Sequence, residues 1–407
     1  MIERKKYLDK LIKLKDAEVI KIITGIRRSG KSVLLNQFRE YLIKSNVLPE
    51  NIIYINFELL ENEELLDYKK LYDYILNKTI QGKMYIMIDE IQEVVKFEKV
   101  IDSLFVKGNY DIYITGSNSH LLSSELSTLL AGRYIEISIL PFSFSEFYEA
   151  IGGNKKEAFN EYFKYGGLPY VSQIKDEDSK LSYIEGIYNT IVVRDLIERK
   201  KINDVGLLKD ILKYILDTIG NPISSKKIAD YLSSNGRKTS HTTIGNYLDA
   251  LEEAFIIYKV ERYDVRGKLR LSSLGKYYVA DVGFRSFVLG DKQYNIGSVL
   301  ENIVFLELKR RGYNVNIGKI DSLEIDFIAT NNNDKKYYQV SSSALDPKTF
   351  ERELAPLLKI SDNYEKMLLT LDELPMNYEG IKQVNIIDWL LNKEEFFKWI
   401  PLKIKYN

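Results

Sequence analysis

No cysteine occurs among the 407 residues. That removes disulfides, thiolate metal sites and cysteine nucleophiles together. Histidine is nearly absent as well. His120 and His241 are the two present, too few for most histidine-based metal sites. Neither sign of charge is in excess: Lys+Arg and Asp+Glu number 58 each. The chain as a whole therefore has no electrostatic footprint for nucleic acid, and any such site must be a local patch. No run of about 18 uncharged apolar residues occurs, so no membrane span is expected. The N-terminal stretch Met1-Ile2-Glu3-Arg4-Lys5-Lys6 is charged where a signal peptide would carry an apolar core. The expectation is a soluble, cytoplasmic protein. What is present is ordinary globular composition, 45% hydrophobic and 29% charged, at a length that fits two or three domains. Thirty tyrosines accompany abundant Ile, Lys and Asn, a genome-level bias rather than a binding stripe.

Gly25, Ile26, Arg27, Arg28, Ser29, Gly30, Lys31 and Ser32 spell a complete G-x-x-x-x-G-K-[ST] phosphate loop. The apolar run Val19-Ile20-Lys21-Ile22-Ile23 precedes it, and a helical stretch from Ser32 to Leu42 follows. A strand turning sharply into a helix aims several N–H groups at one point, where the helix N-terminus adds positive potential. Gly25 and Gly30 permit close approach of the backbone to phosphates. Lys31 is expected at the β- and γ-phosphates and Ser32 on Mg2+, with ATP as the nucleotide.

Residues 84–92 read Met-Tyr-Ile-Met-Ile-Asp-Glu-Ile-Gln, a buried parallel strand ending in two carboxylates. Asp89 would lie at the rim where open α/β sheets bind ligands, in reach of the metal shell. Glu90 points differently, because side chains alternate along a strand, and can polarise an attacking water. A further buried strand, Asp111–Gly116, ends in Ser117-Asn118-Ser119. Asn118 is the expected sensor of the γ-phosphate, with Ser117 close behind; an N-cap for the next helix is the competing use. Arg133 follows that helix and could stabilise transition-state charge in cis or in a neighbouring subunit.

The first third alternates strand and helix, with strand candidates Val19–Thr24, Ile52–Phe57, Met84–Asp89, Asp111–Gly116 and Tyr134–Leu140. This rhythm predicts a parallel sheet covered on both faces. One strand lies between the phosphate-loop strand and the Asp-Glu strand. That is the arrangement of the additional-strand P-loop ATPases, which include the AAA+ class, and the expected sheet order is 5-1-4-3-2. The predicted organisation is an α/β multidomain chain. It comprises a P-loop ATPase core at 1–142, a helical lid or linker region at 143–219, a winged helix at 220–272 and a C-terminal α/β domain at 273–407. The helical region is broken by the turn Tyr165-Gly166-Gly167-Leu168-Pro169 and includes a long helix from Ser179 to Lys200. Within that helix, Arg194-Asp195 reads as a solvated or interdomain pair. In the winged helix, Ser224–Leu232 and Ser240–Leu251 form the helix pair, and 255–260 with 268–271 form the wing. Its 221–270 segment carries nine basic and six acidic residues, a net of +3. That is a mild bias, in which Lys226, Lys227, Arg237 and Lys238 would carry contact with duplex DNA.

The C-terminal stretch reads as helix Gly297–Arg311, then strands Asn314–Ile317, Leu323–Ala329 and Lys336–Val340, helix Pro347–Ile360 and strand Lys366–Thr370. The α-β-β-β-α-β order matches the core of PD-(D/E)xK nucleases, which is restriction-endonuclease-like. Glu301 and Asp326 supply two carboxylates. Gln339 stands where a second strand carboxylate belongs and Ser341 where the lysine belongs. Lys335, Lys336 and Lys348 are candidates for a migrated lysine.

Taken together, Gly-Ile-Arg-Arg-Ser-Gly-Lys-Ser, Ile-Asp-Glu-Ile-Gln, Thr-Gly-Ser-Asn-Ser, Leu-Ala-Gly-Arg-Tyr, Pro-Phe-Ser-Phe-Ser-Glu-Phe and Tyr-Gly-Gly-Leu-Pro resemble a large family of predicted bacterial and archaeal ATPases of the AAA+ class, over essentially the entire chain. The resemblance implies an AAA+ core, a winged helix and a nuclease-like tail of unknown function. It implies Lys31 and Ser32 at phosphates and metal, Asp89 and Glu90 at metal and water, Asn118 as sensor and Arg133 as arginine finger. The departure at Gln339 and Ser341 argues for a nuclease-like domain without nuclease activity. The leading expectation is an ATP-hydrolysing switch that controls binding of an unidentified protein partner or of duplex DNA through 220–272, with room for a homo-oligomer. An ATP-dependent nuclease and a non-hydrolysing ATP-binding scaffold are the alternatives.

Overall fold

Five parallel strands run side by side in the order β2-β3-β4-β1-β5. They are β1 (Ile20–Thr24), β2 (Ile52–Asn56), β3 (Met84–Asp89), β4 (Tyr110–Gly116) and β5 (Tyr134–Ser138). Read from the other edge this is the expected 5-1-4-3-2. The computed structural model describes residues 2–117, 132–191, 196–197, 202, 204–267, 269–290, 295–332, 334–374 and 376–393. The side chains of 269–273 are not included in that description. The chain divides into two compact units, Met1–Pro141 with Glu253–Phe255, and Phe142–Glu252 with Ile256–Asn407.

In the first unit, strand alternation decides which helix covers which face. Ile20 and Ile22 of β1, with Ile86, Ile88, Ile112 and Ile114, pack against α3 (Tyr68–Lys78) and α4 (Phe97–Lys107). Ile23, Tyr85, Met87 and Tyr113 point the other way, onto α1 (Lys5–Lys13) and α2 (Lys31–Lys44). Both faces are buried, so the strands carry near-continuous apolar runs. The exception is Lys21, fully buried on β1 and paired with Asp111 of β4 at 2.5 Å. Its ammonium also donates to the Ala17 carbonyl, and Asp111 accepts from the Tyr113 hydroxyl and the Asp16 N–H. The network leaves neither charge without partners, which is the condition for burying an ion pair.

The second unit begins with helices α5 (Phe144–Ile151), α6 (Lys155–Tyr165), α7 (Glu177–Thr190) and α8 (Val205–Asp217). Arg194 and Asp195 lie outside the described residues. The turn after α6 is built around Asp281, whose carboxylate accepts from the N–H groups of Gly167 (2.8 Å) and Gly283 (2.9 Å). Gly166 sits at φ +77°, and a Cβ there would fall 1.7 Å from the Asp281 carboxylate. Helices α9 (Ser225–Ser234) and α10 (His241–Glu253) follow, with Ser224 capping α9.

A nine-stranded sheet completes the unit, in the order β13-β14-β12-β11-β10-β9-β7-β8-β6. Strands β6 (Pro222–Ile223), β7 (Ile257–Asp264) and β8 (Leu269–Val279) pair antiparallel at one end. Strands β9 (Asn314–Ile320), β10 (Leu323–Thr330), β11 (Lys335–Val340), β12 (Glu365–Thr370), β13 (Met376–Tyr378) and β14 (Ile381–Asn385) form the rest. Parallel pairing of Arg262–Asp264 with Ile317–Lys319 joins the two parts. The expected boundary at 272/273 therefore falls inside β8. Helices α11 (Gly283–Leu289), α12 (Ile296–Arg310), α13 (Pro347–Leu358) and α14 (Ile386–Leu390) accompany the sheet. Among the described residues no helix is long and apolar enough to cross a membrane.

Candidate functional site

The phosphate loop turns out of β1 at Gly25, which adopts φ +146°. A Cβ at Gly25 would lie 2.2 Å from the Ile139 carbonyl oxygen, so no other residue fits between this loop and the end of β5. Gly30 caps α2 in the left-handed region, and Arg28 is also held at positive φ. Lys31 opens α2 and is buried. Its ammonium lies 3.2 Å from the Gly25 oxygen, 3.4 Å from that of Ile26 and 3.5 Å from Glu90 Oε1. Arg27 is buried within the loop, 3.7 Å from the Glu58 carboxylate.

Asp89 ends β3, and Thr115 at the end of β4 donates its hydroxyl to Asp89 Oδ1. Burial raises the Asp89 pKa, and the hydroxyls of Ser32 and Thr115 oppose the rise. Asp89 Oδ2 is buried with no hydrogen-bond partner, as is Ser29 Oγ in the loop. Buried polar groups are normally paired, so a free carboxylate oxygen beside Ser32 fits a hard divalent cation. Among the described residues no cluster of three or more His, Cys, Asp or Glu side chains suited to a metal forms. Mg2+ does not require one, since it is held by one or two protein groups with nucleotide phosphates and water.

Glu90 behaves differently from its neighbour. Its backbone is left-handed, φ 55° and ψ 47°, and its N–H donates to Thr115 Oγ1 at 3.0 Å. Glu90 Oε2 accepts from the Gln92 amide and, at 3.2 Å, from the Ser117 hydroxyl. Burial pushes the Glu90 pKa up, but the Lys31 ammonium, the Gln92 bond, Arg27 and Ser117 together hold it below the usual glutamate value. The structure thus sets Lys31, Ser32, Asp89, Glu90 and Ser117 around one point. Asn118 lies outside the described residues.

Arg133 is not part of this constellation. Its carbonyl accepts the Ile20 N–H at the start of β1 and β5, and its guanidinium pairs with Asp102 at 2.6 Å. The loop follows the other end of these parallel strands, where Thr24 pairs with Ser138. Five residues at about 3.3 Å each separate the two ends. Of the two placements expected for the Arg133 finger, in cis or in a neighbouring subunit, the first is not formed: Arg133 does not reach its own loop. Sequence reasoning also missed Thr115, which sits beside the recognised strand tip, and Arg4, described below.

A second polar cluster lies in the other unit. Glu301 of α12 and Asp326 of β10 come together, as expected, but the ammonium beside them belongs to Lys276 of β8. It lies 3.2 Å from Glu301, 2.8 Å from Glu324 and 3.9 Å from Asp326. Burial would lower the Lys276 pKa; the three carboxylates outweigh it and raise it. Asp326 is pushed well up by burial and then by Glu301. The lysines expected to stand in are placed differently: Lys335 pairs with Asp362 and Lys336 with Glu365, and Lys348 is exposed. Gln339 gives its amide to Glu353 at 2.9 Å, and the Ser341 hydroxyl donates to the Ser343 carbonyl.

The first unit's sheet order, its glycine-framed loop and its strand-end Asp-Glu pair are those of a nucleotide-binding P-loop ATPase of the AAA+ class, and residues 17–148 match the AAA domain. Residues 156–295 match a domain of unknown function, DUF8612. The chain belongs to one family with an uncharacterized protein of Haemophilus influenzae, 43% identical over 399 residues that cover 96% of this chain and 99% of that one. The uncharacterized protein MJ1544 of Methanocaldococcus jannaschii is 33% identical over 93% of this chain and 88% of its own length. Among solved structures the chain is similar in fold to the Walker-type ATPase PABY2304 of Pyrococcus abyssi. The TM-score is 0.53 at 17% identity, covering 71% of this chain and 96% of that one.

Proposed function

We propose that the chain binds ATP with Mg2+ at this loop and hydrolyses it, as a switch for binding of a partner. The observation that carries hydrolysis is the division of labour between two adjacent carboxylates. Asp89 keeps one buried oxygen free beside Ser32, and these two would hold the metal. Bound there, Mg2+ supplies charge neutralisation at the β- and γ-phosphate oxygens. Glu90 is held anionic and oriented by Gln92 and Ser117. It takes a proton from the water that attacks the γ-phosphorus, while the bond to the β–γ bridging oxygen breaks and ADP and phosphate leave. Lys31 binds the phosphates, and Ser117 with Asn118 reads the γ-phosphate. Arg133 is available as a finger only to a neighbouring copy.

In the second unit, α9, α10 and strands β6–β8 support the reading of a winged helix, and α12 through β12 supports a restriction-endonuclease-like domain. Lys226, Lys227 and Lys238 are exposed and would carry contact with duplex DNA. Arg237 is engaged instead with Asp210 at 2.5 Å and Asp204 at 3.4 Å. The C-terminal domain is read as a binding module without nuclease activity. Lys276 already lies among its carboxylates, and Gln339 cannot supply the missing anionic ligand.

Glu90→Gln keeps the shape and removes the base. ATP should still bind, and turnover should fall on the order of 10²–10⁴-fold. Lys31→Ala should weaken binding itself. Wild-type turnover in Glu90→Gln would show that the base lies elsewhere.

A further inference from the structure

We propose that Arg4 is a positioning residue for the phosphate loop, which it holds from behind in the shape that receives phosphate. The inference rests on the nucleotide-site reading above. Arg4 precedes α1 and is 1% exposed. Its Nη1 donates to the Ser29 carbonyl at 2.7 Å and its Nη2 to the Leu140 carbonyl at 2.8 Å. The guanidinium lies over the Tyr7 ring, 4.9 Å from its centre. Its own N–H donates to Gln37 Oε1, and the Gln37 amide donates to the Ile2 carbonyl.

Burying a guanidinium is costly unless its donors are used, and here the rigid fork spans two main-chain segments at once. One is the loop itself, and the other is the chain just beyond β5. The effect on the loop follows from peptide geometry. A trans peptide points its C=O and N–H in opposite directions. By drawing the Ser29 oxygen toward itself, Arg4 turns the Gly30 N–H to the far side of the loop, where a phosphate oxygen can accept it. Gly30 makes room for this: a Cβ there would lie 3.2 Å from Arg4 Nη1. The Leu140 bond fixes the guanidinium in turn, so the Ser29–Gly30 peptide is oriented before any nucleotide arrives. Such preorganisation appears as affinity.

The test uses the full chain, a fluorescent ATP analogue and steady-state turnover. Arg4→Lys keeps the charge but loses the fork, and Arg4→Gln removes both. Tyr7→Phe is the matched control, since the Tyr7 hydroxyl anchors the same segment by accepting the Leu140 N–H at 3.2 Å without touching the loop. The expected result is a loss of ATP and ADP affinity of about tenfold in Arg4→Lys, and more in Arg4→Gln, for one or two charge-assisted hydrogen bonds. The KM for ATP should rise in step while kcat stays within about threefold, because the loop amides bind ground and transition states alike. Tyr7→Phe should keep wild-type affinity. Folded Arg4→Lys with affinity within twofold of wild type, beside a Lys31→Ala variant that has lost binding, overturns the inference. Equal losses in Tyr7→Phe and Arg4→Lys overturn it too, by reducing Arg4 to a tether. Undiminished binding in Lys31→Ala instead removes the nucleotide site and the inference with it.

Discussion

Replacing Gly166 by alanine should be one of the most damaging single-methyl additions in this chain. Two costs combine. Gly166 sits at φ +77°, ψ −165°, a region that costs other residues roughly 1–3 kcal/mol. The new Cβ would also fall 1.7 Å from Asp281 Oδ1, so the carboxylate must leave. Its departure strands the buried N–H groups of Gly167 and Gly283, at about 1–3 kcal/mol each. The total is of order 3–9 kcal/mol, against a domain stability of about 5–15 kcal/mol. Urea unfolding of Gly166→Ala, Asp281→Ala and the double variant separates the contributions. With Asp281 truncated the severe clash is gone and only the Gly283 nitrogen stays close, at 2.8 Å, so the glycine change should cost much less. A loss below about 1 kcal/mol in Gly166→Ala, or the same loss with and without Asp281, refutes the argument. The same carboxyl predicts a pH dependence. Burial raises its pKa from 3.8 to about 6, with the backbone N–H bonds and Arg310 opposing. The folded state then binds this proton more tightly than the unfolded one. Its contribution is full below the unfolded value and is lost as pH rises through about 6. Asp281→Asn should flatten that slope between pH 4 and 7.

Supercoiled plasmid should survive incubation with the protein in Mg2+ or Mn2+. Nicking that disappears in Asp326→Ala but persists in Lys31→Ala would show an active nuclease site whose lysine is supplied from elsewhere in the chain. If the second unit binds duplex DNA, neutralising Lys226, Lys227 or Lys238 should each lower the salt slope by about one. Arg237→Ala should leave that slope unchanged while lowering stability, and a reduced slope in Arg237→Ala would show its guanidinium on phosphate.

How much of this was legible depended on how local the signal is. The phosphate loop and the Asp89-Glu90 pair are contiguous strings attached to apolar runs, and the count of strands between them pointed to the sheet order. Arg133 has the right sequence context for a finger, but only parallel strand register reveals that it lies at the wrong end of β5. Arg4 sits in a charged stretch with no motif, and its role depends on a fold that brings residues 29 and 140 to the same guanidinium. Lys276 stands far from Ser341 in sequence, and only the fold brings its ammonium to Glu301 of α12 and Asp326 of β10. Strands β13 and β14 were overlooked because each is short and half polar.

The parallel pairing of β7 with β9 bears on how this protein can be dissected. Cutting at 272 would divide β8 and free the facing edges of β7 and β9, each with a row of unpaired amides and carbonyls ready to join another molecule. Lys276 would leave with one fragment, away from the hairpin that held its strand in place. Fragments made on that boundary should aggregate. The helix pair and the C-terminal sheet can be inherited, exchanged or expressed only as a single piece.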